Sequence, residues 1–305
     1  MSPTTAANQR TDRDIRRRTL AQNFLHSRSV VTGFISDCAI SSTDTILEIG
    51  AGSGTLTDPL VRLAAQVIAI EKDPDWCNKL RDHLTCLANV TVLCGDIRDI
   101  ALPDKPFRVI ANLPFNQTTD LLHLLLDDPA SLLQRADLIL QWEVALKRSE
   151  AARPNLLNLS WRPWFTFHLG RRIPSDSFRP RPATDGGVLI VKRRETPLLS
   201  VADRDPFVVL LRNCFQSKGG TLWKGYLRRV LPPRELERLW MRLGLSRAAL
   251  PGDLKISDWV AIFRATDGLQ APTGGAKPPK RREITRSKLT GRRDPRNPLN
   301  RPSFW

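Results

Sequence analysis

The sequence of 305 residues is short of acidic residues, of tyrosine and of long apolar runs. It holds 31 Asp and Glu against 47 Lys and Arg, a formal net charge of +16, and it has a single tyrosine. An acid deficit of this size indicates a polyanionic partner, either nucleic acid or an anionic membrane surface. Arginine outnumbers lysine, which suits bidentate contacts to phosphate and stacking on bases.

Other absences narrow the class of protein further. No apolar run approaches the roughly 18 residues of a membrane span, and no apolar signal segment follows the basic N-terminus. The five cysteines form no CxxC pair and show no ligand spacing with the four histidines. We therefore expect a cytoplasmic monomer with no membrane anchor and no metal site, whose cysteines are reduced, buried thiols.

The apolar pattern between Gln22 and about Arg194 alternates between strand-like and helix-like segments. Short strand-like runs are TILEIG, VIAIE, VTVLCG, FRVIANL and DLILQW, and helical stretches such as TLTDPLVRLAAQ and DPDWCNKLRDHL lie between them. Asp73 before Pro74 predicts a capped helix start with a first-turn proline. This alternation predicts a doubly wound α/β sheet.

From about Glu195 the pattern becomes helical, and the composition changes again near Ala265. We predict a mobile basic arm over 1–18, a catalytic α/β domain over 19–195, a small helical domain over 196–265 and a disordered basic tail over 266–305. The tail carries ten Lys and Arg against three Asp and Glu. The arginines of the helical domain form either a solvated face or a surface that follows RNA phosphates: Arg228, Arg229, Arg234, Arg238 and Arg242.

A glycine-rich turn follows the first strand-like run, in LEIGAGSG at residues 47–54. Gly50, Gly52 and Gly54 allow a tight turn and close approach of the backbone to a ligand. Thr55 stands where the dinucleotide fingerprint needs its third glycine, which disfavours a nicotinamide-dependent oxidoreductase. Glu48 lies within the strand, where a carboxylate is costly unless it meets backbone amides or a cationic ligand.

Two further acids end the next two strand-like runs. Glu71 closes VIAIE, a position that typically accepts from ribose hydroxyls in doubly wound folds. Asp96, in CGDI directly after VTVLCG, ends the third strand and is placed to accept from an adenine amino group, although Gly-Asp is also an ordinary turn. Ile97 beside it is a further candidate cofactor-binding residue. Three acids beside one glycine turn predict a pocket for a cationic adenosine, which S-adenosylmethionine matches.

The ordered motifs resemble those of the adenine-N6 methyltransferases of ribosomal RNA. The resemblance covers residues 18–265 and is carried by QNFL (22–25), LEIGAGSG, Glu71, GD (95–96), NLPF (112–115) and FRPRP (178–182). It implies a Rossmann-like class I methyltransferase domain with S-adenosylmethionine as its cofactor. It also implies that Gln22, Asn23 and Leu25 lie against the methionine end of the cofactor.

The chemistry of that reaction explains why NLPF interrupts an apolar strand. The exocyclic amine of adenine is a weak nucleophile, and acceptors that hold both N–H groups turn its lone pair toward the methyl carbon. The Asn112 side-chain oxygen and the Leu113 carbonyl suit this role, and Pro114 fixes the turn without a competing N–H. A flipped adenine also needs stacking partners. Phe115 is a candidate from the residues, and the resemblance places Phe178 on the opposite face of the base.

Two branches of the family, and a rival from another class, remain open. ATDGGVLIV after FRPRP, the region QSKGGTLWKGYLRRVL and the basic tail favour the erythromycin-resistance (Erm) branch. Resemblance to that branch implies methylation of N6 of a specific adenine in 23S rRNA, with one or two methyl groups, on RNA that is protein-free or a precursor, and resistance to macrolide-type antibiotics. The alternative branch dimethylates adenines of the small-subunit RNA. A non-catalytic RNA-binding or transcription factor on this fold is disfavoured, because a protein that only binds RNA has no need of Asn112.

Overall fold

A computed structural model of the chain describes residues 23–114, 117–218 and 220–266. Its centre is a seven-stranded sheet of order β4-β3-β2-β5-β6-β9-β7, and a separate two-stranded sheet pairs β1 with β8. The strands are β1 (Phe24–Leu25), β2 (Thr45–Ile49), β3 (Gln66–Glu71), β4 (Val90–Cys94), β5 (Phe107–Asn112), β6 (Leu133–Gln141), β7 (Phe165–Ile173), β8 (Phe178–Arg179) and β9 (Gly186–Arg193).

Helices connect the strands and form the C-terminal part of the described chain. They are α1 (Arg28–Cys38), α2 (Thr57–Leu63), α3 (Pro74–Leu84), α4 (Thr118–Leu126), α5 (Trp142–Arg148), α6 (Leu156–Trp161), α7 (Arg204–Phe215), α8 (Leu227–Val230), α9 (Pro233–Leu243) and α10 (Ile256–Thr266). Short 3₁₀ turns lie at Ile97–Asp99, Ser175–Ser177 and Pro251–Asp253.

The doubly wound α/β prediction is confirmed, and its five strand-like runs are β2 to β6. These five strands are parallel, so their carboxyl ends share one edge of the sheet. The sequence pattern did not indicate β7 and β9, which are antiparallel to their neighbours and extend the sheet beyond β6. Antiparallel pairing requires no crossover helix, and so the alternation of strands and helices does not mark these two strands.

Buried side chains cover both faces of the sheet. One cluster includes Ile46 of β2, Phe34 of α1 and Leu60 of α2. The other includes Val109 of β5 and extends to Trp259 in α10. In the helical segment Phe207 meets Phe263 edge-on, and Phe215 stacks on Trp259. Because one cluster joins the sheet and these helices, they share a core. The division into domains at residue 195 stays a prediction.

The start of α3 confirms the predicted cap. Pro74 is the first helical residue, and the Asp73 carboxylate accepts the Asp75 backbone N–H at 2.9 Å. Cys77, on the buried face of α3, forms a disulfide with Cys94 at the end of β4, with 5.8 Å between their Cα atoms. The expectation of reduced, buried thiols is therefore wrong for this pair. The two cysteines are 17 residues apart, and only the packing of α3 on β4 brings them together.

The other three cysteines carry free thiols, of which Cys38 and Cys214 are buried and Cys86 is exposed, again contrary to expectation. Burial raises the pKa of the Cys214 thiol to about 12. No helix among the described residues has the length and apolar character needed to cross a membrane. The predicted arm, the predicted tail beyond Thr266, Gln22 and Phe115 lie outside the described residues.

Candidate active site

A cleft opens at the edge of the sheet where β2, β3, β4 and β5 end. The empty space between its walls, counted together with open solvent at the mouth, is about 720 Å³. Apolar side chains and a few polar groups line it together, as in most small-molecule sites. The lining residues are Asn23, Phe24, Ile49, Gly50, Gly52, Ile70, Glu71, Lys72, Gly95, Asp96, Ile97, Asn112, Pro114, Gln117 and Leu121.

The glycine turn forms one wall of the cleft with the backbone that its sequence predicts. Gly50, Gly52 and Gly54 have φ angles of 77°, 54° and 85°, in the left-handed region that favours glycine. A Cβ atom at Gly52 would lie 2.7 Å from the Phe24 ring, so the aromatic side chain rests directly on the turn. Gly50 and Gly52 line the cleft, whereas Gly54 faces Leu80 behind it.

Glu71 ties the turn to the end of β3. One carboxylate oxygen accepts the Gly52 N–H at 2.7 Å, and the other accepts the Asp73 N–H at 2.8 Å. Burial raises the pKa of Glu71, and these amides oppose the rise because they favour the charged form. Each oxygen keeps a lone pair for a further donor. This geometry is compatible with the predicted role of Glu71 toward ribose hydroxyls, which stays a prediction.

The Asp96 carboxylate forms ion pairs with two neighbouring cations, Lys72 and Arg98. Its carboxylate accepts from Lys72 Nζ at 3.0 Å, from Arg98 Nε at 2.9 Å and from the Arg98 backbone N–H at 3.0 Å. Hydrogen bonds from Arg98 are the main cause that lowers the pKa of Asp96. An adenine amino group would therefore share the carboxylate with Lys72 and Arg98. The predicted adenine contact stays a prediction, and Ile97, which lines the cleft beside it, offers an apolar contact to the base.

Glu48 takes a different place from the other two acids. It points to the face of the sheet that carries Ile46 and α2, is 1 % exposed, and is not among the described lining residues of the cleft. Its Oε2 atom and the Thr57 hydroxyl, at the start of α2, have no hydrogen-bond partner among the described residues. Burial raises the pKa of Glu48 to about 8, and the nearby Thr57 hydroxyl only partly offsets this. With this raised pKa, the buried Glu48 carboxyl favours the neutral form at pH 7.

Glu48→Gln should stabilise the fold at pH 8 more than at pH 4.5. The unfolded chain releases the Glu48 proton near its ordinary pKa of 4.5, whereas the native chain keeps it to about pH 8. The native state binds more protons in this window, so the contribution of Glu48 is fully present below pH 4.5 and is lost as the pH rises to 8. Glutamine keeps the shape and does not titrate. We expect a difference between the two pH values on the order of 4 kcal/mol.

Urea unfolding of the wild type and of Glu48→Gln at the two pH values measures this difference. Glu235→Gln, at an exposed position of α9, controls for the loss of one negative charge. Equal effects of Glu48→Gln at both pH values would show that the native state does not retain the proton.

Asn112 ends β5 at the mouth of the cleft with a fixed orientation. Its side-chain Nδ2 donates to the Asn23 backbone carbonyl at 2.7 Å. Because the partner is a carbonyl, the amide nitrogen must face it, and the Asn112 oxygen remains available to a donor in the cleft. The first residue of the described chain thus orients the side chain that the NLPF motif places at this edge.

Leu113 and Pro114 continue the motif beyond the end of β5. Leu113 donates its backbone N–H to the Ile139 carbonyl at 3.1 Å, which fixes the end of β5 to β6, and its side chain is buried. The Pro114 carbonyl accepts the Gln117 N–H at 3.0 Å, and α4 begins one residue later. The structure therefore places Asn112 and Pro114 in the lining of the cleft, with the buried Leu113 between them in the chain. Their catalytic roles stay predictions.

The QNFL and FRPRP motifs meet as a two-stranded sheet. Phe24 pairs with Arg179 and Leu25 with Phe178 in the β1–β8 register. Phe178 is 1 % exposed and packs against Gly186, where a Cβ atom would lie 2.9 Å from its ring. Leu25 is buried in the same cluster and does not line the cleft with Asn23. The stacking of Phe178 on adenine stays a prediction, and in this arrangement it would require the ring to become accessible.

Several lining residues were not predicted from the sequence. Phe24 lies within the QNFL motif, and its ring packs on Trp76 with centroids 5.3 Å apart. Lys72 directly follows Glu71 and bonds Asp96 across the cleft. Phe24 was available from the motif itself, whereas Lys72 gains its position in the lining only from the folding of β3 beside β4. Trp76 supports the Phe24 ring from α3 and is not part of the described lining.

The sheet, the glycine turn and the acids at successive strand ends define the class I fold of S-adenosylmethionine-dependent methyltransferases. Residues 13–267 match the model of the ribosomal RNA adenine dimethylase family, and the chain belongs to that family. Its fold matches the crystal structure of 23S rRNA methyltransferase ErmE with a TM-score of 0.73 and 26 % identity, over 80 % of this chain and 100 % of that chain.

Curated relatives are named as rRNA adenine methyltransferases or as antibiotic-resistance proteins. The chain is 36 % identical to mycinamicin-resistance protein MyrB of Micromonospora griseorubida over 248 residues, 81 % of this chain and 78 % of the relative. It is also 36 % identical to an rRNA adenine N-6-methyltransferase of Corynebacterium diphtheriae over 198 residues, 65 % of this chain and 77 % of the relative. The predicted membership of the rRNA adenine-N6 methyltransferase family is confirmed.

Proposed function

We propose that the chain transfers a methyl group from S-adenosylmethionine to N6 of an adenine in 23S rRNA and thereby confers resistance to macrolide-type antibiotics. The observation that carries the proposal is the Asn112 amide, which Asn23 orients at the mouth of a cleft with an acidic, glycine-lined wall. The names of the Micromonospora relative and of ErmE favour the large-subunit branch.

The cleft residues fit S-adenosylmethionine by their chemistry. Glu71 holds the glycine turn and keeps acceptor capacity for ribose, while Ile49, Ile70 and Leu121 supply apolar walls. Phe24 and Asn23 cover the side toward Asn112. Bound there, the cofactor would supply an electrophilic methyl group on a sulfonium.

The chain's own residues would act by positioning the adenine amine. The Asn112 oxygen accepts one N6–H and the Leu113 carbonyl the other, so the nitrogen lone pair turns toward the cleft. Holding the reacting atoms about 3–3.5 Å apart converts the step into an intramolecular displacement. As N6 bonds to the methyl carbon, the bond from that carbon to the sulfonium would break and leave a neutral thioether. The excess proton on N6 would pass to water at the mouth of the cleft, so positioning rather than a strong base lowers the barrier. Phe115 is the proposed stacking partner of the flipped base.

The substrate RNA is proposed to be free of ribosomal proteins, and the protein to act as a cytoplasmic monomer. A basic surface is present: Arg228, Arg229, Arg234, Arg238 and Arg242 are all exposed on the helical segment. Their exposure supports a role in following RNA phosphates, whose signature is a salt-dependent affinity.

The test incubates the full-length protein and labelled S-adenosylmethionine with protein-free 23S rRNA and, separately, with small-subunit rRNA. Primer extension then locates the modified adenine. We expect label in 23S rRNA at a single adenine. Label near the 3′ end of the small-subunit RNA would assign the chain to the other branch, and binding of RNA without transfer would favour a non-catalytic RNA-binding protein.

A further inference from the structure

A tryptophan and an arginine stack at the same edge of the sheet as Asn112, outside the cofactor cleft. Trp142 directly follows β6, and the Arg172 guanidinium lies over its ring, 5.2 Å from the centroid. Trp142 is half-buried, and the Arg172 side chain is 58 % exposed. The stacked pair therefore presents an open guanidinium face to solvent.

The strand register places this pair beside the proposed adenine site. Asn112 at the end of β5 pairs with Ile139 in β6, and Gln141, the last residue of β6, pairs with Gly186 in β9. Phe178 packs on Gly186, and the Trp142 ring packs on Gly187, where a Cβ atom would lie 2.8 Å from it. Consecutive strand residues face opposite sides of a sheet. The two rings thus flank β9 at the edge that carries Asn112.

Asp185 links the pair to the segment that carries Phe178. Its carboxylate accepts from Arg172 Nε at 2.9 Å and from the Ser175 backbone N–H at 2.9 Å, and its carbonyl accepts the Trp142 N–H at 2.9 Å. The turn Ser175–Ser177 then leads directly into Phe178. Arg172 thus has its guanidinium plane fixed against the ring before any ligand arrives.

We propose that Trp142 and Arg172 form a stacking platform for an unpaired nucleotide that neighbours the target adenine. This inference rests on the proposed function and adds a recognition site to it. Proteins read RNA mainly in unpaired segments, by stacking bases on aromatic rings and guanidinium planes. Arg172 also places a positive charge where the backbone of that nucleotide would pass. A platform at this place would select substrates with an unpaired base beside the adenine.

The chain offers a matched control in a second pair of the same type. The Arg247 guanidinium lies 4.5 Å from the Trp223 ring centroid and bonds Glu237, as Arg172 bonds Asp185. The Arg247 side chain is 67 % exposed. This pair belongs to the helical segment and not to the edge of the sheet, so it tests whether any exposed Trp–Arg stack affects RNA binding.

The experiment compares Trp142→Ala, Trp142→Phe, Arg172→Ala and Arg247→Ala in the full-length protein at one ionic strength. Steady-state transfer to protein-free 23S rRNA gives KM and kcat, and calorimetry gives the Kd of S-adenosylmethionine. Loss of one stacked base should raise the RNA KM of Trp142→Ala about tenfold, with cofactor Kd within about twofold of wild type. Trp142→Phe should recover most of the affinity, and Arg172→Ala should exceed Arg247→Ala in its effect.

Other outcomes would overturn the platform. An unchanged RNA KM in Trp142→Ala, an equal rise in cofactor Kd, or equal effects of Arg172→Ala and Arg247→Ala would each do so. If Trp142→Ala does not fold, Trp142→Phe and Arg172→Ala carry the test. Binding of a fluorescein-labelled, single-stranded, adenine-containing oligoribonucleotide provides a readout that needs no transfer. If the wild type transfers no methyl group, the proposed function fails. The platform would still be supported if Arg172→Ala, but not Arg247→Ala, bound the oligoribonucleotide more weakly than the wild type.

Discussion

Asn112→Ala should lower kcat for methyl transfer by about 10²–10³ while the affinity for S-adenosylmethionine falls much less. Nδ2 of Asn112 donates to the Asn23 carbonyl, which leaves the side-chain oxygen available. The proposed hydrogen bond that this oxygen accepts from N6–H would matter most as the amine attacks. An interaction made chiefly in the transition state is lost from kcat rather than from ground-state binding. Single-turnover transfer to RNA and calorimetric titration of the cofactor separate the two quantities.

Asn78→Ala is the matched control, because Asn78 is an exposed asparagine on α3. It should leave both quantities at their wild-type values. A fall in cofactor affinity as large as the fall in kcat would instead make Asn112 a cofactor ligand, a reading that its position in the lining of the cleft allows. The thermal midpoint of Asn112→Ala must be checked, since loss of the bond to Asn23 also releases the start of β1.

Two parts of the site were predictable from the sequence: the glycine turn, which lies on one continuous segment, and the polar residues at the ends of the parallel strands. The glycine turn requires left-handed backbone angles that favour glycine, and the parallel strands of the sheet bring Glu71, Asp96 and Asn112 to one edge. The apolar periodicity identifies such strands, and their parallel topology places their carboxyl ends at one edge of the sheet. The family motifs then add a chemical role to each position.

Contacts between distant segments were not predictable in the same way. The bond from Asn112 to Asn23 spans 89 residues, and that from Arg153 to Asp253 spans 100. Asp96 reads from the sequence as an open acceptor, yet Lys72 and Arg98 occupy it, because Lys72 reaches across from the neighbouring strand end. The sequence suggests that Glu48 contacts a ligand in the cleft, whereas in the structure its side chain faces α2. The side of a strand on which a residue lies depends on register, which the glycine pattern does not specify.

Expression of the protein in a macrolide-sensitive bacterium should raise the inhibitory concentration of macrolides by roughly 10-fold to 100-fold. The resemblance to the Erm branch implies a target adenine in the peptidyl-transferase loop, whose N6 edge contacts these drugs. A methyl group removes a donor and adds bulk. Loss of one buried polar contact costs about 1–3 kcal/mol, and each 1.4 kcal/mol is about tenfold in affinity. The clash of the added methyl group increases the effect further.

The measurement pairs drug susceptibility with primer extension on RNA from the same cells. Asn112→Ala, expressed to the same level, should restore sensitivity and leave the adenine unmodified, because the amine is no longer oriented. Asn78→Ala should keep the cells resistant. Lincosamide resistance is expected alongside, if those drugs share the N6 edge. Sensitive cells with a methylated small-subunit RNA would place the chain in the other branch, whereas resistance that survives Asn112→Ala would mean that the protein protects the ribosome by binding it rather than by methylation.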